Sequence, residues 1–424
     1  MVLIQLTQTI RRIAMHEEIE KPKLSFREFV IIISLMMSLA ALSTDAMLPA
    51  LPQIGSELGV QSANDRQLVV GILFLGLAIG QLFYGPLSDK TGRKLAIYIG
   101  LYILGNLLSV FAPTFQIMLA GRLIQGLGIS APRSVILALV RDRYKGRGMA
   151  QVMSFVMTVF ILVPMIAPTL GQTILLIAGW RSIFLAFIGI AVIAVTWFGV
   201  RMPETLKPEN RAAFSLQRIM KATCEIVKNR TALGYTLSVG LIGGAFLGYL
   251  NSAQQIFQEQ YSLGACFPLV FAIVASSLGL ASFLNARLVM RFGMRFLVRW
   301  SLIIIFGLAV IVFGLALSYD GQPPFLLFMA YIMMTFFCVG ILFGNQNSLA
   351  MEPLGQLAGI GAAIVGSLST FISMPLGTTI GQNYNGTVVP LVVGLAILSG
   401  LSNVIVYWTE SSSRNVQEKT SVLQ

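Results

Sequence analysis

Asp45 lies in Ser43-Thr44-Asp45-Ala46-Met47-Leu48-Pro49, within an apolar run long enough to cross a lipid bilayer. An ionisable group at that depth costs about 2.5–3.5 kcal/mol on insertion scales, and groups kept despite that cost generally handle ions or substrate. A second charge, Arg122, sits in Leu119-Ala120-Gly121-Arg122-Leu123-Ile124-Gln125-Gly126-Leu127-Gly128. Counted inward from the same surface at helical rise, the two lie roughly 14 and 10 Å deep. An acid that exchanges protons with each side in turn, beside an arginine that never deprotonates, is a way to store and release a proton. The arginine would keep the acid ionised when close and let it take a proton when a conformational change parts them. The plainer reading of Arg122 is that it satisfies helix-end carbonyls.

Further polar residues interrupt the apolar runs. Arg133 follows Arg122 by eleven positions, which at about 100° per residue returns it to nearly the same helix face. It is either a cation facing a cavity or an anchor that snorkels to the headgroups. Pro164 and Pro168, with Gly171 beyond them, remove two backbone donors from one face of a span and bend it. Irregular backbone at membrane depth belongs beside protein or a cavity. Asn345-Gln346-Asn347 cover most of a helix circumference, so at least one should line a cavity or pair across helices, and Asn251 and Gln254 add similar groups. With Met37 and Gln125 these residues and Arg133 are the candidate lining of a substrate cavity, largely apolar with a few amides and so suited to amphipathic molecules.

The elements that must position these groups are membrane helices. Hydrophobic residues are 56% of the chain and charged residues 11%, too little polar surface to cover a soluble globule of 424 residues. With about 20 apolar residues per crossing, twelve spans are expected near 29–51, 67–87, 95–112, 115–140, 149–176, 180–200, 233–256, 264–290, 296–318, 324–349, 357–380 and 387–408. A net charge of +12 would suggest nucleic acid in a soluble protein. Here, however, 25 of the 29 Lys and Arg fall on the face that holds both termini and two, Arg66 and Arg181, on the other. That asymmetry is topological: both termini are expected in the cytoplasm, with no nucleic-acid partner. Residues 1–28 lack the apolar core and cleavage site of a secretory signal. Cys224, Cys266 and Cys338 have no metal-ligand spacing and are assigned no chemistry. No metal, cofactor or nucleotide loop is expected, and no enzyme.

The basic stretch 201–232 divides six spans (29–200) from six (233–409), with 410–424 as a cytoplasmic tail. Leu87 to Lys94 after the second span is echoed 201 residues later by Leu288 to Arg295 after the eighth. The same offset takes Asp45 to Phe246 and Arg122 to Pro323, so the second half holds no copy of the buried charges. Duplication with charge kept in one half suggests coupling in the first half and wall-forming in the second.

Three motifs carry a family resemblance. Gly85-Pro86-Leu87-Ser88-Asp89-Lys90-Thr91-Gly92-Arg93-Lys94 resembles the loop signature of the major facilitator superfamily, whose fold is all-α, with twelve transmembrane helices in two six-helix halves. The stretch around Arg122 is similar to its second signature, in which an arginine is associated with proton transfer. Pro164 to Gln172 looks like its antiporter signature, with Ala167 and Gln172 where glycines are usual. Leu42 to Pro52 and Glu352-Pro353-Leu354-Gly355-Gln356-Leu357-Ala358-Gly359 narrow the resemblance to the Bcr/CflA branch of bacterial drug:proton antiporters. The resemblance implies that Gly85 allows close helix approach and that Asp89, Arg93 and Asp142, with Gly92 in the turn, form a latch on the cytoplasmic side. It implies export of amphipathic compounds, such as phenicols, bicyclomycin-like antibiotics or metabolites, by a monomer in the bacterial inner membrane, with protons and membrane lipid as the other partners. A dedicated metabolite or siderophore exporter and a proton-coupled importer are the alternatives, and a receptor or scaffold is the non-transport reading.

Overall fold

A backbone in lipid must satisfy its own N–H and C=O groups, and a long apolar segment does so as a helix. The computed structural model describes residues 24–96, 100–144, 146–206, 209, 211 and 215–421. Twelve apolar helices run through it: α1 (Phe26–Asp45), α2 (Leu68–Thr91), α3 (Gly100–Val110), α4 (Phe115–Arg143), α5 (Gly146–Ala178), α6 (Arg181–Arg201), α7 (Arg230–Gln254), α8 (Phe267–Phe292), α9 (Met294–Ser318), α10 (Phe325–Met351), α11 (Ala358–Gln382) and α12 (Val389–Ser421). Among the described residues ten helical segments are long and apolar enough to cross a membrane, and the shorter apolar helices Gly100–Val110 and Leu162–Ala178 fall where the third and fifth spans are expected. Most of the expected 1–28 segment, and Lys207 and Lys94's neighbours 97–99, lie outside the described residues.

Polar side chains set where several helices begin. Ser25, Thr114 and Asn229 accept the backbone N–H three residues on, capping α1, α4 and α7. Ser25 and Asn229 open equivalent helices of the two halves, a second trace of the duplication. The stretch between the halves is no free linker: it holds the helix Leu216–Lys228, whose Ala222 and Ile226 are buried in one core with residues of α7, α9, α10 and α11. At the other end of the chain α12 continues to Ser421, into the segment expected as a tail.

The halves meet along two seams, α2 against α11 and α5 against α8. Sixfold shift of helix number exchanges these seams, as a duplicated fold requires. Ser367 of α11 donates to the carbonyl of Ala78 in α2 at 2.6 Å, and Gly85 leaves room for Ala363 across the same seam. Inside the first half α2 and α4 touch backbone to backbone, because a Cβ at Gly76 would strike the carbonyl of Leu123 and one at Gly126 that of Leu73. This closeness brings Arg122 within reach of α2.

Candidate functional site

Arg122 is wholly buried, and each of its three guanidinium nitrogens donates a hydrogen bond. Nε donates to the carbonyl of Val69 in α2 at 2.9 Å, Nη1 to Gln125 Oε1 at 2.6 Å and Nη2 to the carbonyl of Ser43 in α1 at 2.9 Å. Gln125 Nε2 donates to Asn106 Oδ1 of α3 at 2.9 Å, Asn106 Nδ2 to the carbonyl of Tyr102 at 2.7 Å, and the Tyr102 hydroxyl meets Ser43 Oγ at 2.7 Å. Four helices thus converge on one charge, with Phe184 of α6 presenting its ring 5.8 Å from the guanidinium carbon. A buried cation needs this degree of satisfaction to be tolerated.

Asp45 sits two residues past Ser43, as the last residue of α1, and is 5% exposed. Among the described residues no hydrogen bond or ion pair engages its carboxylate, so the structure does not join it to Arg122, whose donors are spent on neutral oxygens. The expected pairing of Asp45 with Arg122 is not formed in this structure. The chain just beyond Asp45 is gripped by α5: a Cβ at Gly171 would collide with the carbonyl of Ala46. Gly171 therefore lets α5 approach the residue after the acid, and α5 remains one continuous helix through Pro164 and Pro168. In α7 the Tyr249 hydroxyl is buried with no hydrogen-bond partner.

Arg133, on α4, keeps an exposed side chain, and both of its expected roles, cavity-facing cation and headgroup anchor, remain compatible with that placement. Met37 is half-buried. Gln125 belongs to the Arg122 network. The amides of the second half are largely consumed by structure: Asn345 Nδ2 donates to Asn285 Oδ1 of α8 at 2.8 Å, Gln346 Nε2 to Ser238 Oγ of α7 at 2.7 Å, and Asn251 Nδ2 to the carbonyl of Gly377 in α11 at 3.1 Å. Asn347 is exposed and bonds its own helix at the Phe343 carbonyl, and Gln254 bonds Gln258 and Glu259 just beyond it. Interhelical pairing, one of the two expected roles, accounts for Asn345, Gln346 and Asn251.

At the end of the bundle remote from both termini, amides fasten one half to the other. Asn64, just before α2, donates to the carbonyls of Gln382 at 2.9 Å and Tyr384 at 2.8 Å, and accepts from Gln255 Nε2 at 2.9 Å. Gln382 Nε2 returns a bond to the Asn64 carbonyl at 2.9 Å, Gln67 bonds Gln255, and Arg66 pairs with Glu259 at 3.4 Å. Gln255 and Glu259 stand on a π-helical turn, Gln255–Gln260, that extends α7; such turns recur at functional positions. Asn64 and Gln67 were invisible in sequence because nothing local distinguishes a clasp amide from a loop amide.

The opposite end carries the 85–94 loop. Arg93 donates to Asp89 at 2.6 Å, to Asp142 at 3.1 Å and to Ser88 Oγ at 2.6 Å, so the expected latch residues are together, all within the first half. Sequence reasoning missed Glu204. Its carboxylate accepts the backbone N–H groups of Arg93 at 2.9 Å and Lys94 at 3.0 Å, besides those of Thr205 and Leu206. Partial burial works against ionisation of Glu204, but these four donors outweigh it and hold the carboxyl below its ordinary range. Gly92 is required twice over: its φ is +101°, and a Cβ would strike the Glu204 carboxylate.

Residues 33–378 match the Major Facilitator Superfamily. The chain belongs to that superfamily. It is 30% identical to an uncharacterized transporter of the superfamily, YdgK of Bacillus subtilis (strain 168), over 85% of this chain and 90% of that one. It is 26% identical to a bicyclomycin resistance protein homolog of Haemophilus influenzae, over 92% of this chain and 98% of that one. It is 27% identical to the multidrug resistance protein MdtL of Klebsiella pneumoniae, over 76% of this chain and 80% of that one. Among solved structures, the human organic anion transporter MFSD10 superposes with a TM-score of 0.68 at 16% identity, covering 90% of this chain and 99% of that one. The Escherichia coli xylose transporter XylE, partially occluded and inward open, does so with a TM-score of 0.68 at 14% identity, covering 90% and 96%. These two carry the fold alone. The chain is a multi-pass membrane transporter of small molecules and not an enzyme.

Proposed function

We propose that this transporter exports small amphipathic drugs or metabolites from the bacterial cytoplasm in exchange for protons, with Asp45 as the site where proton and substrate compete. The observation that carries the reading is the contrast at the membrane's interior: an Arg122 whose three guanidinium nitrogens all donate hydrogen bonds, and a buried acid that no described group engages. A buried carboxylate without a protein partner is free to take a proton or a substrate's polar group in its place. The relatives named for bicyclomycin and multidrug resistance supply the substrate class. The positive-inside asymmetry supports both termini in the cytoplasm, and in that orientation the amide clasp closes the outer side. Alternating access then consists of rocking the two halves about the α2–α11 and α5–α8 seams. One proton moving down about 100 mV supplies roughly 2.3 kcal/mol, enough for a concentration ratio near fifty.

The deciding experiment follows proton release from purified protein on addition of each member of a compound panel that includes bicyclomycin, then substrate flux in vesicles under an imposed pH gradient. Substrate movement opposite to the proton supports export. Movement with the proton would establish the second reading, an importer, for which the fold's likeness to a D-xylose–proton symporter is the motive. Absence of any substrate-dependent proton movement would remove the coupling altogether.

A further inference from the structure

The helix Leu216–Lys228, between the two halves, presents three faces, and the bundle takes up one of them. Ile219, Ala222 and Ile226 form a stripe at helical spacing. Ala222 and Ile226 are buried in the core with Ala232 and Tyr235 of α7 and Ile360 and Ile364 of α11, and Ile219 packs against it. A second stripe, Met220, Cys224 and Val227, is apolar as well, yet Met220 is 71% and Val227 49% exposed, and Cys224 is exposed. The third stripe is charged: Lys221, Glu225 and Lys228 are all exposed. At about 100° per residue the three stripes stand roughly 100–130° apart round the axis. A helix between protein and water needs two faces, one apolar and one polar. A helix that lies along the edge of a bilayer beside a protein needs three, toward protein, acyl chains and water.

The neighbours fix the level at which this helix runs. Two residues past Lys228, Arg230 opens α7 with its guanidinium carbon 4.3 Å from the centre of the Trp408 ring of α12, and it donates to Ser411 Oγ at 3.0 Å. Trp408 is 44% exposed and stands near the end of the span Val389–Ser411. An exposed tryptophan at the end of a membrane helix marks the headgroup region. The last turn of Leu216–Lys228 therefore ends at headgroup depth. Its lysines are free to face that layer, since among the described residues no ion pair engages Lys221 or Lys228.

We propose that the helix Leu216–Lys228 is a seat for anionic phospholipid, with Met220, Cys224 and Val227 entering the acyl-chain boundary and Lys221 and Lys228 meeting the phosphates of acidic headgroups. The long lysine stems let the ammonium groups reach the headgroup plane from the side of the helix. An anionic surface favours each such lysine by about five-fold. Charge complementarity selects this occupant: a soluble partner or a second copy would have to cover an apolar stripe that already lies at the bilayer's edge. Because Ala222 and Ile226 key the same helix into the core of the second half, the seat ties that half to one leaflet. The proposal is independent of the direction of transport and of the role of Asp45.

The test uses full-length protein carrying Cys266→Ala and Cys338→Ala, one copy per nanodisc. A bimane fluorophore is attached at Cys224 or, in a Cys224→Ala background, at Glu225→Cys, the next position round the helix on the lysine face. The lipid is phosphatidylcholine with brominated acyl chains, alone or with added phosphatidylglycerol, and bromine quenches a fluorophore that touches those chains. With phosphatidylglycerol present, quenching at Cys224 should exceed that at Glu225→Cys by roughly two-fold or more. Lys221→Gln combined with Lys228→Gln, two changes on exposed side chains, should lower the seated-to-free ratio by about twenty-five-fold, and omission of phosphatidylglycerol should likewise unseat the helix. Equal quenching at the two positions overturns the proposal. So does strong quenching at Cys224 that ignores both the anionic lipid and the lysines, because that is contact with lipid without recognition of its charge. Weak quenching at Cys224 with energy transfer between labels in two-copy discs would assign the stripe to a second copy and overturn it as well.

Discussion

The two halves solve the problem of polar groups at membrane depth in opposite ways. In the first half a guanidinium is surrounded by acceptors drawn from α1, α2 and α4, with Asn106 and Tyr102 of α3 completing the network. In the second half the centre is aromatic, and hydroxyls such as Tyr249 are left without partners. A satisfied network is rigid and keeps one geometry; an unsatisfied hydroxyl is a group awaiting a partner from outside its own helices. The comparison teaches that the first half holds its buried cation in a dense polar network, while the second half fills the equivalent depth with rings. Asp45 stands at the border, positioned by the rigid half and left unengaged by it.

The largest expected effect attacks that border. Asp45→Asn should fold and insert, because a buried unpaired charge is removed, yet gradient-driven transport should fall to the level of empty vesicles and substrate affinity should lose most of its dependence on pH between about 5 and 9, a range in which ordinary carboxylates stay ionised. Binding isotherms across that range, on mutant and parent, check it; full transport with an unchanged pH profile would make Asp45 a structural residue.

Next comes the rigid network itself. Arg122→Leu strands Gln125 Oε1 and the carbonyls of Ser43 and Val69, and should cost about 3–5 kcal/mol, read as lost thermal stability of the detergent-purified protein. A change below about 1 kcal/mol would mean the network is not the keystone of the first half.

The clasp should show an intermediate effect and a different kind of effect. Asn64→Ala deletes two donated bonds and one accepted bond across the halves, at about 1 kcal/mol each. The outer end should therefore open by roughly tenfold to a hundredfold, read from distances between spin labels at the exposed positions Gln61 and Asn385, with each half separately as stable as before. Amides do not titrate, so this opening should be the same at every pH.

Smaller still is the strap beneath the 85–94 loop. The depressed Glu204 carboxyl contributes stability that is present above its unfolded-state pKa and is lost as pH falls through its lower folded-state value. Because Glu204 stays open to solvent on the side away from its donors, Glu204→Gln should cost only about 0.5–1 kcal/mol at neutral pH, and the difference from the parent should vanish in acid. An equal deficit at pH 3 and pH 7 would assign its role to shape rather than charge.

The smallest effect is the sharpest contrast with Arg122. Tyr249→Phe removes a hydroxyl that has no partner, so thermal stability should stay within about 0.5 kcal/mol of the parent or rise. A loss near 2 kcal/mol would show that the hydroxyl is bonded after all and that the two halves are alike.

Much of this was written in the chain itself. Apolar run length dictates helices, since lipid offers no partner for a backbone, and the spacing of those runs with the basic stretch between them dictates six and six. The rarity of charge at depth singled out Asp45 and Arg122, because their cost is local and needs no knowledge of neighbours. The Asp89, Arg93 and Asp142 cluster was legible only through the family resemblance of the 85–94 loop, since nothing in the spacing joins Asp142, 49 residues from Arg93, to it.

What only the tertiary structure decided is which of these groups touch. Similar depth did not pair Arg122 with Asp45, because the glycine crossings at Gly76 and Gly126 bring α2 so close that the Val69 carbonyl, with Gln125 and Ser43, takes up the guanidinium first. Tyr249 looked like any other tyrosine in an apolar helix until its aromatic shell denied it a partner. Asn64 and Gln382 lie 318 residues apart, and the contact between them exists only because two duplicated halves dock face to face. Sequence fixes the cost of burying a group, a property of the residue and its run; the identity of the partner that offsets this cost depends on distances across helices that no local pattern encodes.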